Sequence, residues 1–191
     1  MPRNFLINGE SMVVVQGPSG SAIAAPCQLG LAPDAIRVSL NEHSKPLIVD
    51  AYGQNNTVDE QVFGGDALIN MTLVHFSAIV LAECVRLAWP SAPAEGTLGR
   101  AGTRRGNGVP IGAAGSSFIT LNISSPVAGL PYNFLTAWLA ERPITIPLGT
   151  EKSAVVLTWK ANAYSIDPWN GGTGSLGVPL YNRATLVGVD L

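Results

Sequence analysis

Charge is what this sequence has least of. Asp, Glu, Lys and Arg supply only 13% of its 191 residues, against roughly a quarter in an ordinary soluble domain. The 11 basic and 13 acidic side chains leave a net charge of −2, which argues against a nucleic-acid binder held by phosphate contacts. Intrinsic disorder does not fit either, because apolar residues make up 47% of the chain and disordered chains are poor in them. No apolar run approaches the roughly 18 residues of a membrane-spanning helix. The nearest candidate, 67–89, is interrupted by Asn70, His75, Glu83 and Arg86. The first ten residues hold only Phe5-Leu6-Ile7 as an apolar stretch, so they do not read as a secretory signal. The two cysteines, Cys27 and Cys84, match neither a metal spacing nor a disulfide framework. They read as small buried hydrophobes of a protein made in a reducing cytoplasm.

Catalytic material is equally scarce. With only His43 and His75, a nucleophile has few bases to draw on. His75 reads as a structural histidine at a strand-to-helix junction and His43 as a solvated one in a polar turn. No nucleophile elbow surrounds Ser19 or Ser175. Gly172-Thr173-Gly174-Ser175-Leu176-Gly177 matches a dinucleotide fingerprint in letters only, since it neither leaves a strand nor opens a helix. Metal-ligand spacings are missing, and Asp59-Glu60 alone is too little to hold a cation. The sequons at Asn55, Asn70 and Asn122 carry no weight without a secretion signal. The chain is therefore expected to be no enzyme, with no catalytic, cofactor-binding or metal-binding residues and no cofactor.

What the sequence does have is short β patterns set between turn residues, with 21 glycines and 14 prolines. Met12-Val13-Val14-Val15 is a β-branched run stopped by Gly17-Pro18. Residues 35–40 alternate, and in 67–73 Ala67, Ile69, Met71 and Leu73 fall on one face. Strands are also expected at 46–50, 117–123, 143–147, 153–164 and 184–189, the third of these bracketed by prolines as an edge strand would be. One helix is expected over 77–89, capped by Ser77, stopped by Pro90, with Ala78, Leu81, Ala82, Val85 and Trp89 as its apolar stripe. A second, shorter helix is expected over 131–140, with Phe134, Leu135, Trp138 and Leu139 inward. The sum is a mainly β fold, a sandwich or barrel with one flanking α-helix and long loops, in a single domain spanning 1–191.

Two expected loops have character. Residues 50–65 are polar at the tip, with Tyr52, Val58 and Phe63 spaced along them. Residues 91–115 carry seven glycines together with Arg100, Arg104 and Arg105, and structureless loops of that length are usually functional. Three arginines there suit phosphates or a neighbour's carboxylates.

The stretch from Pro46 to Leu87 resembles the tail tube proteins of long-tailed bacteriophages. The resemblance lies in Leu47-Ile48-Val49-Asp50-Ala51-Tyr52-Gly53, then Val58-Asp59-Glu60-Gln61-Val62-Phe63-Gly64-Gly65, then an alternating strand running into a helix. It covers about a quarter of the chain closely, and the Thr158-to-Tyr164 segment suits the closing part of such proteins. The resemblance implies a structural virion protein whose hexameric rings stack into a tube, their sheets joining around a channel that conducts DNA without sequence-specific binding. It implies homo-oligomeric and other tail-protein partners, no membrane anchor, assembly in the host cytoplasm and residence in the tail, a non-contractile one fitting slightly better. The 50–65 segment is then the first candidate for inter-ring contact, with Asp50, Tyr52, Gly53, Asp59 and Phe63. Arg100, Arg104 and Arg105 of the 91–115 loop come second. Alternatives are another virion part of similar fold (a tail terminator, neck or capsid decoration protein), a monomeric β-sandwich binding module, or a hydrolase with an unrecognised site.

Overall fold

The computed structural model describes residues 3–49, 56–88, 118–127, 130–140 and 154–163. Eight strands and one helix lie among them. They are β1 (Arg3–Ile7), β2 (Ser11–Gln16), β3 (Cys27–Ala32), β4 (Ile36–Val49), β5 (Asn56–Val74), α1 (Ala78–Ala88), β6 (Ile119–Ser124), β7 (Tyr132–Leu139) and β8 (Ala154–Ala163). All described pairings are antiparallel. Six strands close a barrel in the order β5, β3, β2, β6, β7, β8 and back to β5. β4 pairs along β5 outside that circuit, and β1 pairs with β4. The protein is thus a mainly β barrel with one helix, as the patterning predicts.

Period-two alternation decides what fills the barrel. Ala67, Ile69, Met71 and Leu73 of β5 are buried, as are Val155, Leu157, Trp159 and Ala161 of β8. Each is separated from the next by one outward residue, so a slip of one position would turn the whole set to solvent. Ile119, Leu121 and Ile123 of β6 and Val13 and Val15 of β2 complete the same interior. Closure is local. Leu31 of β3 pairs with Val74 of β5, and the Ser77 N–H donates to the Leu29 carbonyl at 2.8 Å. β3 comes that close because residue 30 is glycine: a Cβ there would stand 3.1 Å from the Phe76 Cα. His75 turns this corner in the left-handed region, at φ 51°, where histidine is among the better-tolerated non-glycine residues.

The helix forms where expected. Ser77 caps it, its carbonyl accepting from Leu81 N–H at 2.9 Å and its hydroxyl from Val80 N–H at 3.4 Å. It packs against β3 and β7. The buried stripe is Leu81, Cys84, Leu87 and Ala88, so the face is rotated from the predicted one. Ala78 and Ala82 are exposed and Val85 is half-buried, because Cys84 and Leu87, and not the alanines, point at the sheet.

The second predicted helix is corrected. Residues 132–139 are strand β7, paired with both β6 and β8. Its Phe134 and Ala137 are buried three apart, and the register slips between Ile119 and Leu121 opposite them. That bulge breaks strict alternation and imitates a helical spacing. The run Tyr-Asn-Phe-Leu-Thr-Ala-Trp-Leu is rich in aromatic residues and threonine, which favour strands. Polar residues also lie inside this region. Asn122 Nδ2 donates to Asn133 Oδ1 at 2.5 Å, and the Thr136 hydroxyl donates to the Asn162 carbonyl. The β1–β2 corner is tied to the turn after β6 by Ser125 Oγ donating to the Asn8 carbonyl at 2.7 Å, with Gly9 at φ 85° making the bend. The strands expected at 143–147 and 184–189, and the 91–115 loop, lie outside the described residues. Among the described residues no helix is long and apolar enough to cross a membrane.

Candidate functional site: the β4–β5 arm

The predicted loop over 50–65 is corrected in its larger part: residues 56–65 are strand, the first half of β5. β4 and β5 form one long hairpin, paired from Arg37–Asn70 at the barrel out to Val49–Asn56 at the far end. The pattern concealed this because 54–61 is polar apart from Val58, which reads as loop when no partner strand is considered.

Among the described residues β8 pairs with β5 from Val74 down to Gly65, and β1 pairs with β4 from Ile36 to Leu40. From Asn41 to Val49 and from Asn56 to Gly64 the described strand pairing is that of β4 and β5 with each other. At about 3.3 Å per residue, this two-stranded arm reaches roughly 30 Å from the barrel. Two irregularities break its register, one between His43 and Ser44 and one between Leu47 and Ile48.

Of the predicted contact residues, Asp59 stands opposite Leu47, and Phe63 is the extra residue of the first bulge, between Val62 paired with Ser44 and Gly64 paired with His43. Asp50, Tyr52 and Gly53 belong to the connection between the two strands and lie outside the described residues, as do Arg100, Arg104 and Arg105. The arm therefore carries Asp59 and Phe63 of the predicted contact residues.

At the arm's root the structure places residues that the sequence did not single out. His43 lies in β4 and not in a turn. Its Nε2 stands 2.6 Å from Asp66 Oδ1, and Asn41 Nδ2 donates to Asp66 Oδ2 at 3.1 Å. Val38 and Ala67 point inward, so by alternation Asn41, His43 and Asp66 share the outer face. His43 is solvent-exposed as expected, and His75 sits at the expected strand-to-helix corner but is exposed there. The signal that finds the cluster is cross-strand pairing, which needs the register.

A second tie holds the turn between β2 and β3. Glu83 of α1 accepts from Arg86 at 2.6 Å through both carboxylate oxygens and from the Ala22 N–H at 3.2 Å. The Arg86 hydrogen bonds hold the Glu83 carboxyl below its ordinary value, burial opposes this, and the Ala22 N–H and the Arg86 charge add to the lowering. Arg86 is correspondingly raised by the same bonds. Cys84 is buried and its thiol is pushed up, first by burial and then by the charges of Glu83 and Cys27, so it is a poor nucleophile. Cys27 is only half-buried, with its thiol on the Ala25 carbonyl. Among the described residues no three His, Cys, Asp or Glu side chains converge as a metal site would require. What the arrangement offers chemically is main-chain and side-chain surface for another molecule, carried on a projecting hairpin. Compared with family models, curated proteins and solved structures, the chain matches none.

Proposed function

We propose that the chain is the repeating subunit of a phage tail tube, in which hexameric rings stack around a channel for DNA. The observation that carries this reading is the arm: a long two-stranded hairpin leaving a closed barrel, built from the very segment whose sequence resembles tail tube proteins. Among the described residues no third strand pairs with the arm; a hairpin alone is marginal in water, and open strand edges invite indiscriminate pairing. An arm of this length therefore calls for a docking surface, and a neighbouring copy supplies one in every subunit of a ring or stack. The scarcity of charge supports the same reading, since the cores of protein interfaces are depleted in charged residues. A net charge of −2 also suits a channel that must let a polyanion pass, because a basic lining would hold it.

Negative-stain electron microscopy of the purified chain tests the proposal. Rings or tubes are the expected outcome, and a monomer at every concentration tried would overturn it. Single rings that never stack would instead move the chain to a terminating or neck position in the same tail.

A further inference from the structure

We propose that Cys27 and Cys84 are a latent dithiol, which a low-molecular-weight disulfide converts into a bond tying helix α1 to strand β3. The inference rests on the packing of α1 against β3 and not on the tube reading, and its test needs no assembled particle.

Two hydrogen bonds bracket the pair. Where the helix begins, the Ser77 N–H donates to the Leu29 carbonyl of β3 at 2.8 Å. Further along, Glu83 accepts from the Ala22 N–H at 3.2 Å. Cys27 lies between Ala22 and Leu29 in the chain, and Cys84 follows Glu83 on the helix. The helix packs against β3, Cys84 belongs to the buried core, and Cys27 packs against that same core. The two sulfurs are close enough for charge on Cys27 to raise the Cys84 thiol, after burial and the charge of Glu83. Cys27 is also the first residue of β3, paired with Val15 at the end of the ladder with β2. A strand end opens more readily than its middle, which lets Cys27 settle within the roughly 7 Å between Cα atoms that a disulfide spans.

Exposure sets the order of events. Cys27 is half-buried, its thiol donating to the Ala25 carbonyl at 3.2 Å, and is the sulfur a solute can reach. Its thiolate attacks one sulfur of the incoming disulfide. The reagent's S–S bond breaks, and one half leaves as a thiolate that takes up a proton. Cys84 is 0% exposed and cannot take that first step. It acts second: its thiol gives up a proton, and the thiolate attacks Cys27 Sγ and displaces the other half of the reagent. Two protein thiols lose two electrons and one reagent disulfide is reduced to two thiols, so electrons and protons balance. Burial keeps the Cys84 thiol protonated, which slows this second attack. Its place on the same molecule offsets that, because a neighbouring group reacts as though highly concentrated.

Intact-mass measurement on the full chain reads this directly. The reduced protein is incubated with oxidised glutathione, then unfolded in the presence of an alkylating reagent. The expected product has lost two hydrogen atoms, takes up no alkyl group and yields, on proteolysis, a linked peptide pair carrying Cys27 and Cys84. Cys84→Ala should instead stop at a single glutathione adduct on Cys27, and Cys27→Ser should keep its Cys84 thiol free. The oxidised parent should melt roughly 10 °C higher than the reduced one, because the bond restricts the unfolded chain. A parent that halts at the Cys27 adduct would overturn the proposal, since Cys84 would then be out of reach. So would a parent whose thiols both stay reduced, or one that forms only dimers through Cys27. A bond that forms within the chain yet leaves melting unchanged would refute the tie between helix and strand. The parent decides each of these points, so a variant that fails to fold leaves the test intact.

Discussion

Trp159 is the largest side chain wholly inside the barrel, at 0% exposure. Its indole Nε1 has no hydrogen-bond partner among the described residues, an arrangement that costs about 1–3 kcal/mol relative to a satisfied donor. The fold tolerates this because no smaller apolar residue fills the same volume. Trp159→Ala should therefore destabilise the barrel by about 3–5 kcal/mol through the cavity left behind. Trp159→Phe, which deletes the orphaned N–H as well as part of the ring, should cost clearly less. Urea unfolding followed by circular dichroism separates the two, and equal losses would mean that volume is not what Trp159 contributes. Its inward direction was readable from the alternation in 153–164. That its ring nitrogen would find no partner was not, because the neighbours come from other strands.

Among elements, the helix and the β2–β3 turn are joined by one carboxylate. Glu83 binds Arg86 and the Ala22 N–H at once, and in the folded state the Arg86 hydrogen bonds hold its carboxyl below its ordinary value. A depressed carboxyl stabilises the fold above its unfolded pKa and loses that contribution as pH falls through the folded one. Glu83→Gln should therefore be less stable than the parent at neutral pH, with the gap closing as pH drops below about 4.5. Melting temperatures across pH 3 to 7 check this; a gap independent of pH would show that the carboxylate's charge plays no part. The same scale explains the errors of sequence reading. Helix α1 was legible because capping and periodicity are local. Strand β7 was not, because its bulge against β6 gave an apolar spacing of three and four. β1 and β3 were missed outright, being five and six residues long with little alternation of their own.

At the scale of the molecule, the barrel and the arm are separable. Lys45 and Gln61 are cross-strand partners, so an Asn-Gly turn can replace 46–60 and close the hairpin early. The shortened chain should keep the barrel's circular dichroism and melting temperature, because the described core lies in other residues, yet form rings that do not stack into tubes under the electron microscope. Tubes of normal length from it would refute the arm as a subunit contact. Unfolding would show that the arm belongs to the barrel's stability after all. On the proposed reading, the low charge of the chain describes a surface covered by copies of itself.

The sequence by itself determined the class of fold, the inward set of each long strand and helix α1, because alternation, capping and composition act between residues close along the chain. It also marked the 46–65 segment as the distinctive one. Tertiary structure alone decided that most of that segment is strand, that β8 pairs with β5 from Val74 to Gly65, and that His43 and Asp66 meet across its root. Such facts depend on register, and register is fixed only when strands distant in sequence bury their inward faces together.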